Sequence, residues 1–171
     1  DELRAALTSD DDTVRHGALS GILAQRKLAL RELTEAVRAP GLADADTISA
    51  LGELRPRQKE CVEALVAELE EAASSREGWI TQVPPLVDAL ARIGAPAVRR
   101  SVRAIGDGLE FDTQVAAHAR VIGRALGRYG DEWIKAEVQY AGLPDEAKER
   151  LLEAQRRYQD EFTGGGIWDL P

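Results

Sequence analysis

The sequence predicts an all-α fold of stacked helical hairpins, and three observations carry that prediction. Ala, Leu, Glu and Arg are abundant while aromatic residues make up 5% of the 171 positions, a helix-forming composition. Apolar residues recur every three or four positions, and no stretch alternates as a strand would. An Ala-Leu pair also returns at Ala18-Leu19, Ala50-Leu51, Ala89-Leu90 and Ala125-Leu126, at intervals of 32, 39 and 36 residues. Periods in this range signal small helical units that bury their apolar faces only against one another.

The elements follow in order. The acidic corner Ser9–Asp12 precedes a helix for which Asp11 or Asp12 is a natural N-cap, and Pro40-Gly41 closes the first unit. Asp46 is the expected cap of the next helix, which Arg55-Pro56 ends. From Arg57 to Ala73 the residues Cys61, Val62, Leu65, Val66, Leu69 and Ala73 form one stripe with glutamates opposite. A long loop is expected around Ala72 to Pro85, holding Gly78-Trp79 and Pro84-Pro85. The stretch ALARIGAPAVRRSVRAIG, Ala89 to Gly106, then reads as two short helices hinged at Gly94-Ala95-Pro96: glycine ends the first and proline starts the second. Asp112 is the expected cap of a helix that stops before Gly130-Asp131, and Trp133 opens that helix's partner. Pro144, Asp145 and Glu146 begin a final helix striped by Ala147, Leu151, Ala154, Tyr158 and Phe162. The expected organisation is a single domain over 1–171, with units at 9–40, 44–74, 80–107 and 112–141, a capping helix at 144–162 and a tail at 163–171.

The Ala89–Gly106 stretch resembles the second half of a HEAT-type repeat, of the short variety found in phycobiliprotein lyases. LTSDDDTVRHGALSGIL, Leu7 to Leu23, resembles the first half, with Asp10, Asp11, Val14, Arg15, Ala18 and Leu19 at the matching positions. The resemblance covers most of Leu7 to Ala141, although the Val-Arg signature is missing from the later units. It implies a right-handed α–α superhelix of the HEAT/ARM-like solenoid class, about four hairpins plus the capping helix. It further implies that Asp11 or Asp12 with Arg15 braces neighbouring repeats, that second helices line the concave side, and that the molecule is an interaction scaffold.

Charge and motif content narrow the function. A formal net charge of −8 opposes non-specific nucleic-acid binding, and no run approaches the roughly 20 apolar residues that span a bilayer. Cys61, alone and on an apolar stripe, reads as a buried inert thiol. His16 and His118 lie in different units without a second ligand at helical spacing and read as solvated or packing histidines; no metal site and no cofactor are expected. No serine sits in a Gly-x-Ser-x-Gly elbow, Gly164–Gly166 lacks the lysine of a phosphate loop, and the many carboxylates single out no acid–base pair, so no catalytic residue is expected. The chain lacks methionine, even at position 1, and starts inside what reads as the end of a helix, so a processed chain or a piece of a longer array is expected. The sequence leaves the compartment open, a removed leader included, and favours a soluble, cytoplasmic setting.

The arginines and tryptophans supply the candidate binding residues. Arg99, Arg100 and Arg103 lie on one helix, and Arg120, Arg124 and Arg128 make a ridge on the next. Two readings stand for them: a solvated face paired with nearby glutamates, or a positive strip across the two helices suited to oxyanions or to an acidic peptide. Glu60, Glu63, Glu68, Glu70 and Glu71 on the preceding unit would make that face grade from acidic to basic, which favours a protein ligand. Trp79 is a candidate contact anchor or a local cover for the core. Ile167, Trp168 and Leu170 would hold the tail in an apolar groove, of this molecule or of a neighbour in self-association. The leading expectation is a non-enzymatic scaffold for a protein partner. A nucleic-acid module using the arginine ridge and a lyase-like or chaperone-like helper are the alternatives.

Overall fold

A computed structural model describes residues 2–23, 25–39, 43–130 and 142–159. The described residues are helical, without a strand: α1 (Glu2–Leu7), α2 (Asp12–Leu23), α3 (Arg26–Arg38), α4 (Ala45–Glu53), α5 (Lys59–Ala73), α6 (Arg76–Thr81), α7 (Val83–Ile93), α8 (Ala95–Asp107), α9 (Asp112–Tyr129) and α10 (Asp145–Arg157). The second helix expected for the fourth unit, with Trp133, lies outside the described residues. So do the tail with Ile167, Trp168 and Leu170, and the end of the expected capping helix.

Helix starts follow the capping logic, with two shifts. Asp11 caps α2, its Oδ1 accepting the Thr13 amide at 2.8 Å, and the Thr13 and Val14 amides hold its carboxyl below the ordinary value. The second cap is Asp44 rather than Asp46: Asp44 Oδ1 accepts the Thr47 amide at 2.7 Å, leaving Asp46 in the first turn. Asp112 likewise sits in the first turn of α9, after Phe111, where a negative charge still favours the helix N-terminus.

The loop expected over Ala72–Pro85 is mostly helix. Ser75 caps α6 by accepting the Gly78 amide at 3.0 Å, so Trp79 is helical rather than in a loop. Pro84 and Pro85 occupy the first turn of α7, where a missing N–H costs nothing. The corner at Gly94 forms as expected. Its φ of 84° and ψ of −129° suit glycine alone, and Pro96 lies in the first turn of α8. Tyr129 of α9 seals this corner, its hydroxyl donating to the Arg92 carbonyl at 2.8 Å.

Packing runs in two interleaved series. In one, α2 lies against α4, α4 against α7, and α7 against α9; in the other, α3 lies against α5, α5 against α8, and α8 against α10. Contacts of α3 with α4, α5 with α7 and α8 with α9 join the two. Small residues set the closest approaches. A Cβ on Gly52 of α4 would stand 2.6 Å from Ala89 Cα of α7, and one on Gly106 of α8 would stand 2.9 Å from Ala147 Cβ of α10.

The apolar core divides in two. One cluster runs from α1 to α7 and takes in Leu33, Leu51, Leu65, Leu69 and Leu90, with Ala97, Ala117 and Val121 joining from later helices. The other joins Val98, Val102 and Ile105 of α8 to Ile122 and Leu126 of α9 and Leu151 of α10. Cys61 is buried, its Sγ 3.1 Å from Thr34 Oγ1. Thr47 is buried in α4 and its Oγ1 has no hydrogen-bond partner among the described residues. An unpaired buried hydroxyl is costly, and valine has nearly the same shape. Thr47→Val is therefore expected to raise stability by about 1 kcal/mol, read as a higher urea midpoint at unchanged slope.

Candidate functional site

The two helices that carry the candidate arginines, α8 and α9, pack on each other but belong to different packing series. Arg100 of α8 turns toward α5, where its Nε lies 2.9 Å from Glu63 Oε2 and 3.1 Å from Oε1, and its Nη2 3.9 Å from Glu70 Oε1. Arg124 of α9 turns toward α7 and pairs with Asp88 at 2.8 Å. Arg120 of α9 lies over the Trp79 ring, 4.5 Å from its centroid. Arg99, Arg103 and Arg128 are exposed. The acidic-to-basic gradient is correspondingly blunted, since Glu63 and Glu70 face Arg100. Glu60 and Glu71 remain exposed, and burial together with Glu71 pushes the Glu68 carboxyl up.

What these pairs do instead is repeat. Arg92 of α7 reaches Glu53 of α4 at 3.3 Å, Arg100 of α8 reaches Glu63 of α5, and Arg124 of α9 reaches Asp88 of α7. Their sequence separations are 39, 37 and 36. In each, a later arginine grips a carboxylate one unit earlier within the same series. At the first corner Arg15 pairs with Asp12 and, at 2.7 Å, with the α4 cap Asp44. Exposed pairs of this kind contribute at most about 1 kcal/mol each; they fix register more than they stabilise.

Beneath Arg100 lies a polar junction that joins three helices. His118 of α9 and Ser101 of α8 have no exposed surface. His118 Nδ1 is 3.1 Å from Ser101 Oγ, and its Nε2 is 3.2 Å from Glu70 Oε1 of α5. Gln114, one turn before His118, donates to the Glu70 carbonyl at 3.1 Å and to Ser74 Oγ at 3.2 Å. The hydrogen bond from His118, aided by Arg100, holds the Glu70 carboxyl below its ordinary value, so Glu70 is ionised and only accepts. Nε2 therefore carries the proton, and Nδ1 accepts from the Ser101 hydroxyl. Burial, reinforced by Arg100 and opposed by Glu70, pushes the His118 ring down and keeps it neutral.

Serine, histidine and carboxylate in a row resemble a nucleophilic relay, but Ser101 is sealed in the middle of α8. With no exposed surface, its hydroxyl offers a substrate atom no approach. The chemistry left is that of a clasp. Sequence reasoning passed over Ser101 and Gln114 and read Glu70 only as part of an acidic face; the legible signal is a polar residue on a buried stripe, serine between Val98 and Val102 and histidine between Ala117 and Ala119.

The most conspicuous surface feature lies on α6. Ile80 is 64% exposed on an ordered helix, next to Trp79, which packs on the core beneath Arg120. On α10 an open depression of about 680 Å³ is lined by Glu149, Glu153, Arg156 and Arg157, with Arg157 already bound to Asp112 at 2.7 Å. Among the described residues no three His, Cys, Asp or Glu side chains gather as metal ligands, and no helix is long and apolar enough to cross a membrane. The chain matches no family model, no curated protein and no solved structure.

Proposed function

We propose that the chain is a non-enzymatic protein-binding module, a right-handed α–α superhelix of HEAT-type hairpins that offers a curved helical surface to a protein partner. The two packing series and the arginine–carboxylate pairs 36 to 39 residues apart support the stacked architecture. The observation that carries the binding role is Ile80. A large apolar side chain exposed beside an aromatic ring that bears a guanidinium has the composition of an interface anchor. Arg128 extends this surface along α9, which makes an acidic segment with an apolar side chain the fitting ligand. The net charge of −8, with Arg100 and Arg124 engaged by carboxylates, weighs against nucleic acid.

The test is affinity capture from native lysate with quantitative mass spectrometry, comparing the parent chain with Ile80→Glu and Arg128→Glu. Both substitutions are expected to reduce recovery of a common protein set by roughly tenfold and to leave the melting temperature within about 2 °C. Recovery that ignores both substitutions removes the proposed surface. A DNA or RNA gel shift that weakens steeply with salt would favour nucleic acid instead.

A further inference from the structure

We propose that the α5–α8–α9 junction is an acid-sensitive latch, in which a proton taken up by His118 at Nδ1, the atom to which Ser101 donates, favours opening of α9 from α8 at the point where the two halves of the core meet. The geometry supports this in three ways. His118 is the one side chain that bonds both Ser101 of α8 and the Glu70 carboxylate of α5, so it ties three helices at a single point. It sits where the core divides: its neighbours Ala117 and Val121 belong to the first cluster, Ala119 and Ile122 to the second. It is also sealed, so a charge placed on it has no water to solvate it until the helices separate.

The charged groups around it set the direction. From α5 come Glu70, in contact, and Glu63, held by Arg100; from α8 comes Arg100, 3.9 Å from the same Glu70 oxygen. On α9 itself Gln114 is neutral and Arg124 points to Asp88. The charges of α7 are directed elsewhere, Asp88 to Arg124 and Arg92 to Glu53; from α10, Arg157 goes to Asp112 and Arg150 to the Gly106 carbonyl. Glu70 alone favours the cation, and it already shares its charge with Arg100. Burial and Arg100 prevail, holding the closed-state His118 below its ordinary 6.5.

The opened form, with His118 in water, therefore binds the extra proton. Opening is insensitive to pH above about 6.5 and grows more favourable as pH falls below it, by up to tenfold per unit. It levels off beneath the closed-state value. Glu70 acts in the same sense only at lower pH, because its depressed carboxyl titrates below 4.5.

Amide hydrogen exchange from pH 7.5 to 5.0, corrected for intrinsic rates, tests the latch. Opening constants for amides of α8 and α9 around Ser101 and His118 are expected to rise several-fold to tenfold per pH unit below 6.5, while those of α3 and α4 stay level. In His118→Gln the rise should vanish. A rise of equal slope in that variant, or a uniform rise across the chain, overturns the proposal. The His118 ring titration by NMR in the parent chain decides independently of whether the variant folds: a midpoint below 6.5 supports the latch, and one at or above 6.5 overturns it.

Discussion

Gly52→Val is expected to destabilise the protein by about 2–3 kcal/mol, near the upper end for overpacking. Even the first added carbon would stand 2.6 Å from Ala89 Cα and 2.7 Å from Ala89 Cβ. The obstacle is helical backbone, which cannot rotate aside, so α4 and α7 must move apart along their whole contact. That movement would loosen Leu51 and Leu90, both fully buried at this contact. Gly17→Ala provides the matched comparison. Nothing lies within 4 Å of its added carbon, and glycine inside a helix costs about 1 kcal/mol relative to alanine, so this variant should be stabilised by 0.5 to about 1 kcal/mol. Urea denaturation of both, read as midpoints at constant slope, checks the pair. Opposite signs are expected; a Gly52→Val chain as stable as its parent would mean that the helices do not approach so closely.

The contrast between the two glycines shows what the sequence reveals and what it conceals. Each lies in a helical pattern, and neither carries a local mark that one faces a neighbouring helix and the other water. Patterns internal to one helix were legible: the stripe through Cys61 and Leu69, the Gly94 corner with Pro96 behind it, the charged start of α10. The resemblance pointed to Arg15 with Asp11 or Asp12; Arg15 pairs with Asp12 inside α2, and its partner on the following helix start is Asp44. Proline misled at Pro84-Pro85, because a loop and the first turn of a helix tolerate it for related reasons, the absent N–H and the fixed φ. Asp46 and Asp112 misled by a residue or two, because an acidic first turn and a cap look alike in sequence.

The arginines are a different case. Arg100 and Arg124 occupy exposed-stripe positions that composition cannot tell from a binding ridge. Their carboxylate partners, Glu63 and Asp88, lie 37 and 36 residues away. The His118–Glu70 contact spans 48 residues and the His118–Ser101 contact 17. Such constellations arise only once helices of successive units are in register, and register is a property of packing rather than of any one segment.

The proposed stacking in series has a consequence that Leu90→Ala and Leu151→Ala expose together. Both leucines have no exposed surface, and deleting such a side chain from a packed core costs about 2–5 kcal/mol. Leu90 lies on α7, which packs against α4, α5, α6, α8 and α9, so its loss reaches both packing series directly. Leu90→Ala is expected to lower global stability by about 3–5 kcal/mol and to accelerate exchange of the slowest amides throughout α4, α5 and α7. Leu151 lies on α10, which packs on α8 and α9 at one end of the series among the described residues. In an array held by nearest-neighbour contacts, an end element can detach alone. Leu151→Ala should therefore accelerate exchange in α10, and in the α8 turn around Gly106 that α10 covers, while amides of α4 and α5 keep their protection. Exchange mapped by mass spectrometry on the two variants separates the cases. If Leu151→Ala loosened α4 as much as α10, the fold would behave as one closed core, and the series of coupled units would be the wrong description.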